Sequence, residues 1–204
     1  LSLRRQRQMC IRDSCASSSP PSSSVRPNQA AEWLGSLLPP EPMLIDAPPA
    51  PLPALAAEEI AATCGFSEVD TGLALESETG TDVRCEMVVH AGVDKQLLGA
   101  ALGAAATMVL ELGVPAQPGV LLEHLLDRVD LPAGVSVRHG WLREPRLFEQ
   151  GTPLVREPGR LTLLLELVLL TDDEFAIASE QGGAVLERRM RRRGAAMADW
   201  HRDA

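Results

Sequence analysis

A leucine-rich run followed by a helix start constrains the fold of this chain most strongly. Residues 161–170 carry leucine at every odd position, and most of the residues between them are also apolar. Such a run is typical of a strand covered on both faces, although a buried helix can have the same composition. Thr171 and Glu174 then form the pattern of a capping box, in which each side chain accepts a hydrogen bond from the other residue's backbone amide. Because a helix begins at residue 172, the sequence predicts that residues 161–170 are a central strand.

Glycines divide the chain after this point into two helices. Gly182 and Gly183 end the first helix, and residues 184–193 form a second helix that Gly194 ends. The second helix contains the sequence ERRMRRR. Cations near a helix C-terminus are stabilised by the helix dipole. We therefore predict a solvated arginine face, with Glu187 and the acidic first turn of the preceding helix as its pairing partners.

The chain upstream shows a good strand pattern and a long helical pattern. Residues 82–90 alternate apolar and polar side chains, and residues 94–112 are rich in alanine and glycine. Gly99 and Gly103 would let another element approach closely, and the uncharged run 96–110 is shorter than the roughly 20 residues that span a bilayer. Three weaker patterns predict a short helix over residues 55–64, a strand continuing as a short helix over residues 120–126, and a strand over residues 135–142 interrupted at Gly140.

The N-terminal quarter differs in composition from the rest. Residues 1–14 resemble the translation of an adaptor sequence used in library construction, with a basic targeting or nucleic-acid arm as the alternative. Residues 15–53 are rich in proline and serine, which predicts a disordered linker. Within it, residues 30–38 form an amphipathic island that could dock on a partner or pack on its own domain. The sequence therefore predicts one domain over residues 54–204.

Charge and cysteine content exclude several classes of protein. The net charge is −9 and aromatic residues make up 3% of the chain. Both values oppose nucleic-acid binding, since phosphates attract cations and unpaired bases stack on aromatic rings. The four cysteines form no CxxC pair and have no zinc-ligand spacing, which favours a reduced, cytoplasmic protein. We expect no cofactor, no metal and no membrane association.

One group of residues is a candidate partner-binding surface. It brings cations close to a tryptophan in an otherwise acidic chain, and tryptophan and arginine are enriched where proteins dock. The alternative is a set of solvated arginines around a tryptophan in the core, since tryptophan is highly buried on average. The five residues are Arg138, His139, Trp141, Arg143 and Arg146.

The C-terminal pattern resembles that of suppressor-of-fused-like domains. The resemblance lies in the leucine-rich strand with its Thr-x-x-Glu helix start, the Gly-Gly break and the Leu-Glu-Arg-Arg helix. It continues upstream through Pro118-Gly119-Val120 and Arg138-His139-Gly140-Trp141-Leu142, and it covers roughly residues 66–200. Leu170 departs from it, because the family often has proline at the end of this strand. With the elements above, the resemblance implies an α+β fold, with a mixed or antiparallel sheet packed by helices in one domain behind a disordered N-terminal tail.

The resemblance also implies a function in protein binding without an active site. Eukaryotic members of that family bind and restrain a transcription factor and take up a peptide as an added strand, and bacterial members have been grouped with immunity proteins. The high alanine, arginine and glycine content is typical of a GC-rich bacterial genome, so a bacterial immunity or regulatory protein is the preferred hypothesis. The acidic net charge favours a basic partner protein.

Two other hypotheses come from the residues themselves. No catalytic motif with a recognised spacing is found in the sequence. Asp172 and Glu174 could nevertheless combine with a histidine in a small hydrolase or metal-dependent enzyme. A structural subunit is the third hypothesis, and it would require a large self-complementary apolar surface.

Overall fold

The leucine-rich run is the central strand of one mixed sheet. The computed structural model describes residues 3–5, 27–78 and 80–203. Within these residues, ten strands join in this sheet. They are β1 (Leu3–Arg5), β2 (Met43–Asp46), β3 (Pro53–Ala57), β4 (Ile60–Thr63), β5 (Leu73–Leu75), β6 (Asp82–His90), β7 (Leu121–Leu122), β8 (His139–Arg143), β9 (Leu154–Glu157) and β10 (Arg160–Leu170).

Four helices and two short 3-10 turns complete the described fold. The helices are α1 (Pro27–Leu37), α2 (Lys95–Leu112), α3 (Asp172–Gln181) and α4 (Gly183–Arg193). The 3-10 turns span Phe66–Glu68 and Leu125–Arg128. The predicted capping box is present at the start of α3, where Thr171 and Glu174 exchange both hydrogen bonds. The predicted boundary between α3 and α4 is confirmed at Gly182 and Gly183.

The sheet runs in the order β2-β3-β4-β6-β10-β8-β7. β6 and β10 are parallel, with Thr162 opposite Arg84, and the other pairs are antiparallel. β5 pairs with the start of β6, and β9 pairs with the start of β10. The mixed sheet packed by helices confirms the predicted α+β class.

The two faces of the sheet are covered in different ways. The odd-numbered leucines of β10 face α2 and form the main core with it. On the other face, α1 covers an apolar cluster that includes Leu164, while α3 and α4 cover a second cluster that includes Val168. Glu166 lies between these two clusters on the same strand and is buried. The strand therefore carries one charge in the interior, and that charge requires a partner.

The small residues of α2 allow the close approach that the sequence predicts. A Cβ atom on Gly103 would lie 1.9 Å from the carbonyl oxygen of Ala47, and one on Gly99 would lie 2.6 Å from that of Asp46. By length and composition α2 could cross a membrane, but 61% of it is buried within the fold. Core helices of soluble proteins combine the same features.

Three predictions of secondary structure or disorder differ from the structure. Residues 55–64 form the hairpin β3–β4 rather than a helix, because alternate side chains are buried under α2 and under α1. The strand predicted over residues 135–142 begins at His139, and it continues through Gly140 without the predicted interruption. The predicted disordered linker contains α1 and β2, because Leu34 and Leu38 are buried against the sheet and Ile45 against α2. Residues 15–26 of that linker lie outside the described residues, as do all of residues 1–14 except Leu3–Arg5.

Candidate functional site

The five candidate residues lie on β8 or within three residues of its ends, beside β10. Trp141 is only 7% exposed and packs with Val168 and Leu186. Gly183 makes room for it, since a Cβ atom there would lie 2.1 Å from the Trp141 ring. The tryptophan therefore lies in the core, which agrees with the alternative interpretation of Trp141 as a buried residue. A partner-binding role for the group stays a prediction, and Arg146 and the half-buried Arg138 are the members that a partner could reach most easily.

Arg143 connects two largely buried carboxylates on different elements. Its Nε and Nη2 atoms donate to both oxygens of Glu166, at 3.1 and 2.7 Å, and its Nη1 atom donates to Glu187 at 3.0 Å. Arg143 and Glu166 face each other directly across β8 and β10. Arg146 donates from its backbone amide to Glu166 and from its side chain to Glu187. This charge network, made of Arg143, Arg146, Glu166 and Glu187, joins the sheet to α4.

The charge network borders a small cavity of about 190 Å³. His90 and Met197 also line it, together with backbone and side-chain atoms of β10. The guanidinium of Arg143 lies 5.6 Å from the centre of the Trp141 ring, within the range of a cation–π interaction. Every charged group of the network has a partner of opposite sign, so the arrangement is chemically that of a structural clamp.

His139 is not available as a general base. Its Nδ1 atom accepts from the backbone amide of His124 at 3.0 Å, and its Nε2 atom lies 2.9 Å from the Asp172 carboxylate. These contacts require a proton on Nε2 and none on Nδ1 when the ring is neutral. The ring is also stacked on Phe175 at 4.2 Å. Both ring nitrogens are therefore engaged, and the contact with Asp172 fixes the start of α3 to β8.

Glu174, the second carboxylate of the enzyme hypothesis, is held by Arg202. Nε of Arg202 donates to Glu174 at 2.8 Å, and Nη2 donates both to the same carboxylate and to the carbonyl oxygen of Leu169. Nη1 donates to the carbonyl oxygens of Met197 and Asp199. Glu174 and Arg202 are both buried. Within the described ranges, no group of three or more histidine, cysteine, aspartate or glutamate side chains could hold a metal ion.

The sequence did not single out the buried carboxylate of Glu86 as a structural centre. It accepts from the Thr63 hydroxyl and from the backbone amides of Gly65, Phe66 and Ser67, at 2.6 to 3.1 Å. Burial raises the pKa of Glu86, and these hydrogen bonds oppose that shift. Burial and the nearby Glu86 charge raise the pKa values of the thiols of Cys64 and Cys85 as well. Both of these thiols are free.

We expect Glu86 to make stability depend on pH. Because its pKa is raised in the folded state, its contribution is fully present below the unfolded pKa of glutamate and is lost as the pH rises through the folded pKa. Urea unfolding of the wild type and of Glu86→Gln over a series of pH values checks this. The wild type should lose stability over that window, and the variant should lack that part of the slope. Parallel curves for the two proteins would contradict the assignment.

One edge of the sheet presents apolar side chains to solvent. Met43 and Leu44 on β2 are 52% and 65% exposed. β2 pairs only with β3 among the described strands, so its outer side has no strand partner there. Glu41 and Asp46, at either end of these residues, are exposed carboxylates. The edge thus combines an apolar centre with acidic ends.

No family model and no curated protein matches the sequence. The fold matches solved structures instead, at low sequence identity. A chain of the Sufu–Fu complex aligns with a TM-score of 0.58 and 13% identity, over 87% of this chain and 90% of that one. Drosophila Suppressor of Fused aligns with a TM-score of 0.59 and 13% identity over 87% of this chain, which spans 50% of that protein. A putative suppressor-of-fused homologue from Neisseria gonorrhoeae gives 0.56 and 10%, over 87% and 94%. The chain therefore has a suppressor-of-fused-like fold.

Proposed function

We propose that this chain is a non-enzymatic protein that binds and restrains a protein partner, as an immunity or regulatory protein of the bacterial cytoplasm. One of the solved structures with this fold is a complex of Sufu with Fu, which supports a protein partner. The similarity to the Neisseria homologue supports a bacterial setting. Glu174 and His139 already have structural partners, which disfavours the hydrolase or metal-enzyme alternative.

The exposed edge of β2 carries this proposal. An unpaired strand edge offers backbone donors and acceptors to an added strand, and proteins usually protect such edges. Here two neighbouring apolar side chains, Met43 and Leu44, remain exposed instead. They project to opposite sides of the strand, so an added strand could place an apolar residue against each of them.

The charges around this edge favour a basic segment as the added strand. Glu41 and Asp46 lie at the two ends of the apolar pair, and Glu58 and Glu59 lie in the turn between β3 and β4. Lys95 is the nearby cation, with its Nζ atom 3.9 Å from the sulfur of Met43. An extended segment with an apolar centre and basic ends matches this pattern. It also agrees with the basic partner predicted from the net charge.

A pull-down from the source cell with the full chain tests this function. We compare the wild type with Leu44→Glu, which adds a charge at a side chain that contributes little to the core. Leu154→Glu is the matched control, because Leu154 is an exposed leucine (44%) on a different edge strand, β9. We expect one basic protein to be captured by the wild type and the control, and to be lost with Leu44→Glu.

Other outcomes separate the remaining hypotheses. Equal capture by all three proteins would exclude the β2 edge, and loss of capture in Arg146→Glu would place the partner on the candidate group around β8. Loss of a wild-type dimer in Leu44→Glu, with no other protein captured, would favour a structural subunit. Trp141→Ala and Arg143→Ala are unsuitable for this test, since both side chains are largely buried and their removal would disturb the fold.

A further inference from the structure

We propose that α4 presents a second binding surface, which takes a short acidic segment of a partner protein. The helix carries five arginines between residues 188 and 193, and all five are exposed. Leu186 and Met190 face inward and anchor the helix to the sheet. The arginines therefore cover the solvent-facing side of a helix whose opposite side packs on the sheet. We call them the arginine face: Arg188, Arg189, Arg191, Arg192 and Arg193.

Most arginines elsewhere in the described residues have a carboxylate partner, whereas those of the arginine face have none among the described carboxylates, and the half-buried Arg138 likewise forms no ion pair with a described carboxylate. Seven arginines elsewhere in the chain each form an ion pair with an acidic side chain: Arg84, Arg128, Arg143, Arg146, Arg156, Arg160 and Arg202. On the arginine face, Arg189 donates to the Gln181 amide oxygen, and no residue of the face forms an ion pair with any described carboxylate. The chain has 28 acidic residues against 19 basic ones. Five adjacent unpaired cations are therefore unusual for this molecule.

The pairing that the sequence predicts for these arginines does not form. Glu187 and Arg191 have the spacing of a favourable helical ion pair. Glu187 instead turns inward to Arg143 and Arg146, where its side chain is 11% exposed. Asp172, in the first turn of α3, contacts His139. The fold thus directs nearby carboxylates elsewhere and leaves the cations free to bind carboxylates from another molecule.

The helix dipole explains only part of this arrangement. Arg191, Arg192 and Arg193 lie in the last turn, where cations are favoured. Arg188 and Arg189 lie before that turn, and they are also exposed. Arg188 and Arg192 are four residues apart on the helix, and like charges at this spacing repel each other. A bound anionic segment would remove that repulsion.

The surroundings favour an acidic protein segment over nucleic acid. Glu180 and Asp173 on the adjacent α3 are exposed carboxylates, and Asp199 and Asp203 follow α4. These carboxylates and the net charge of −9 would repel a long phosphate backbone that extends beyond the helix. The arginine face also has no aromatic side chain on which an unpaired base could stack.

The same face lacks the features of a membrane-binding helix. Such a helix buries large apolar side chains in the lipid, whereas the exposed apolar residue of α4 is Ala184. α4 has 11 residues, so it is about 16 Å long at 1.5 Å per residue. A segment with a few aspartates or glutamates matches this length, and each guanidinium can bind a carboxylate through two hydrogen bonds.

Fluorescence anisotropy with the full chain tests the proposal. The probe is a labelled peptide of alternating glutamate and glycine, and its glutamine counterpart is the neutral control. We compare the wild type with Arg188→Gln/Arg192→Gln. The matched control is Arg128→Gln/Arg156→Gln, which removes the same charge from two other elements. We expect the wild type and the control to bind the acidic peptide, with an affinity that falls as salt is added.

In Arg188→Gln/Arg192→Gln we expect binding to weaken at least about tenfold, because two charge-assisted contacts are lost. Its thermal unfolding should match that of the wild type, since neither arginine has an ion-pair partner among the described residues. Equal weakening in the control variant would show a general charge effect and would overturn the proposal. Tighter binding of duplex DNA or of phosphatidylserine vesicles than of the acidic peptide would also overturn it. Leu44→Glu should bind the acidic peptide as the wild type does. The result for the proposed partner site on β2 and the result for the proposed peptide site on α4 are therefore independent of each other.

Discussion

Replacing Arg143 with alanine is expected to destabilise the protein by about 3–5 kcal/mol, because it leaves a buried carboxylate without its cation. Glu166 is 8% exposed and receives two of its hydrogen bonds from Arg143. After the substitution it keeps only the backbone amide of Arg146. Glu187 keeps Arg146 but loses the bond from Arg143. Thermal unfolding should show a fall in Tm on the order of 10 °C.

Arg146→Ala is the matched control for this prediction. Arg146 belongs to the same network, but its side chain is 56% exposed, and exposed ion pairs contribute about 0–1 kcal/mol. Arg143→Met/Glu166→Gln should recover much of the lost stability, because it removes the buried charge together with its partner. If the double variant were as unstable as Arg143→Ala, the loss would come from packing against Trp141 instead. Near-wild-type stability of Arg143→Ala would show that water enters the cavity and solvates Glu166.

The sequence predicts the C-terminal half of the fold well, because its signals there are local. The capping box depends on Thr171 and Glu174 alone, and the boundary between α3 and α4 depends on two adjacent glycines. The Leu-rich run is long enough to identify a buried strand once the helix start behind it is recognised. β6 and α2 are also predicted at nearly their observed bounds. In each case the deciding residues lie within a few positions of one another.

The partner of Glu166 could not be predicted in the same way. A glutamate in an apolar strand indicates that a cation must lie opposite, but the identity of that cation depends on the register between β8 and β10. The residues that set this register are about twenty positions apart along the chain. The sequence therefore indicated Arg143 as a partner-binding candidate. In the fold, its guanidinium instead forms ion pairs within the chain.

The N-terminal elements were missed because their stability comes from tertiary contacts. Proline and serine dominate the composition around α1, yet Leu34 is fully buried in the cluster under that helix. In the hairpin β3–β4, alanines suggested a helix because alanine favours helices locally. Burial on both faces of the sheet outweighs that preference, since small side chains fit between α1 and α2. Only the assembled sheet provides these two surfaces.

The second large effect is expected at the C-terminal end, where Arg202→Ala should also cost about 3–5 kcal/mol. All three guanidinium nitrogens of Arg202 donate hydrogen bonds, and Glu174 would remain buried without its cation. β6 pairs with β10 only as far as Glu166, so the carbonyl oxygen of Leu169 lies beyond that pairing and depends on Arg202. The substitution therefore exposes the end of the central strand and weakens the capping of α3.

Urea unfolding and limited proteolysis together measure this effect. His201→Ala is the control, because His201 is exposed and a surface substitution is expected to change stability by no more than about 0.5 kcal/mol. In Arg202→Ala, we expect cleavage within the segment after residue 194 to become faster, since that segment loses the contacts of the guanidinium with Glu174 and Leu169 and keeps those of Ser136 with the carbonyl oxygens of Trp200 and residue 202. Arg202→Lys should recover only part of the stability, because an ammonium group cannot reproduce the bidentate contact with Glu174. Wild-type protection and stability in Arg202→Ala would show that the burial of Trp200 alone holds the C-terminal segment, and that the guanidinium adds nothing to it.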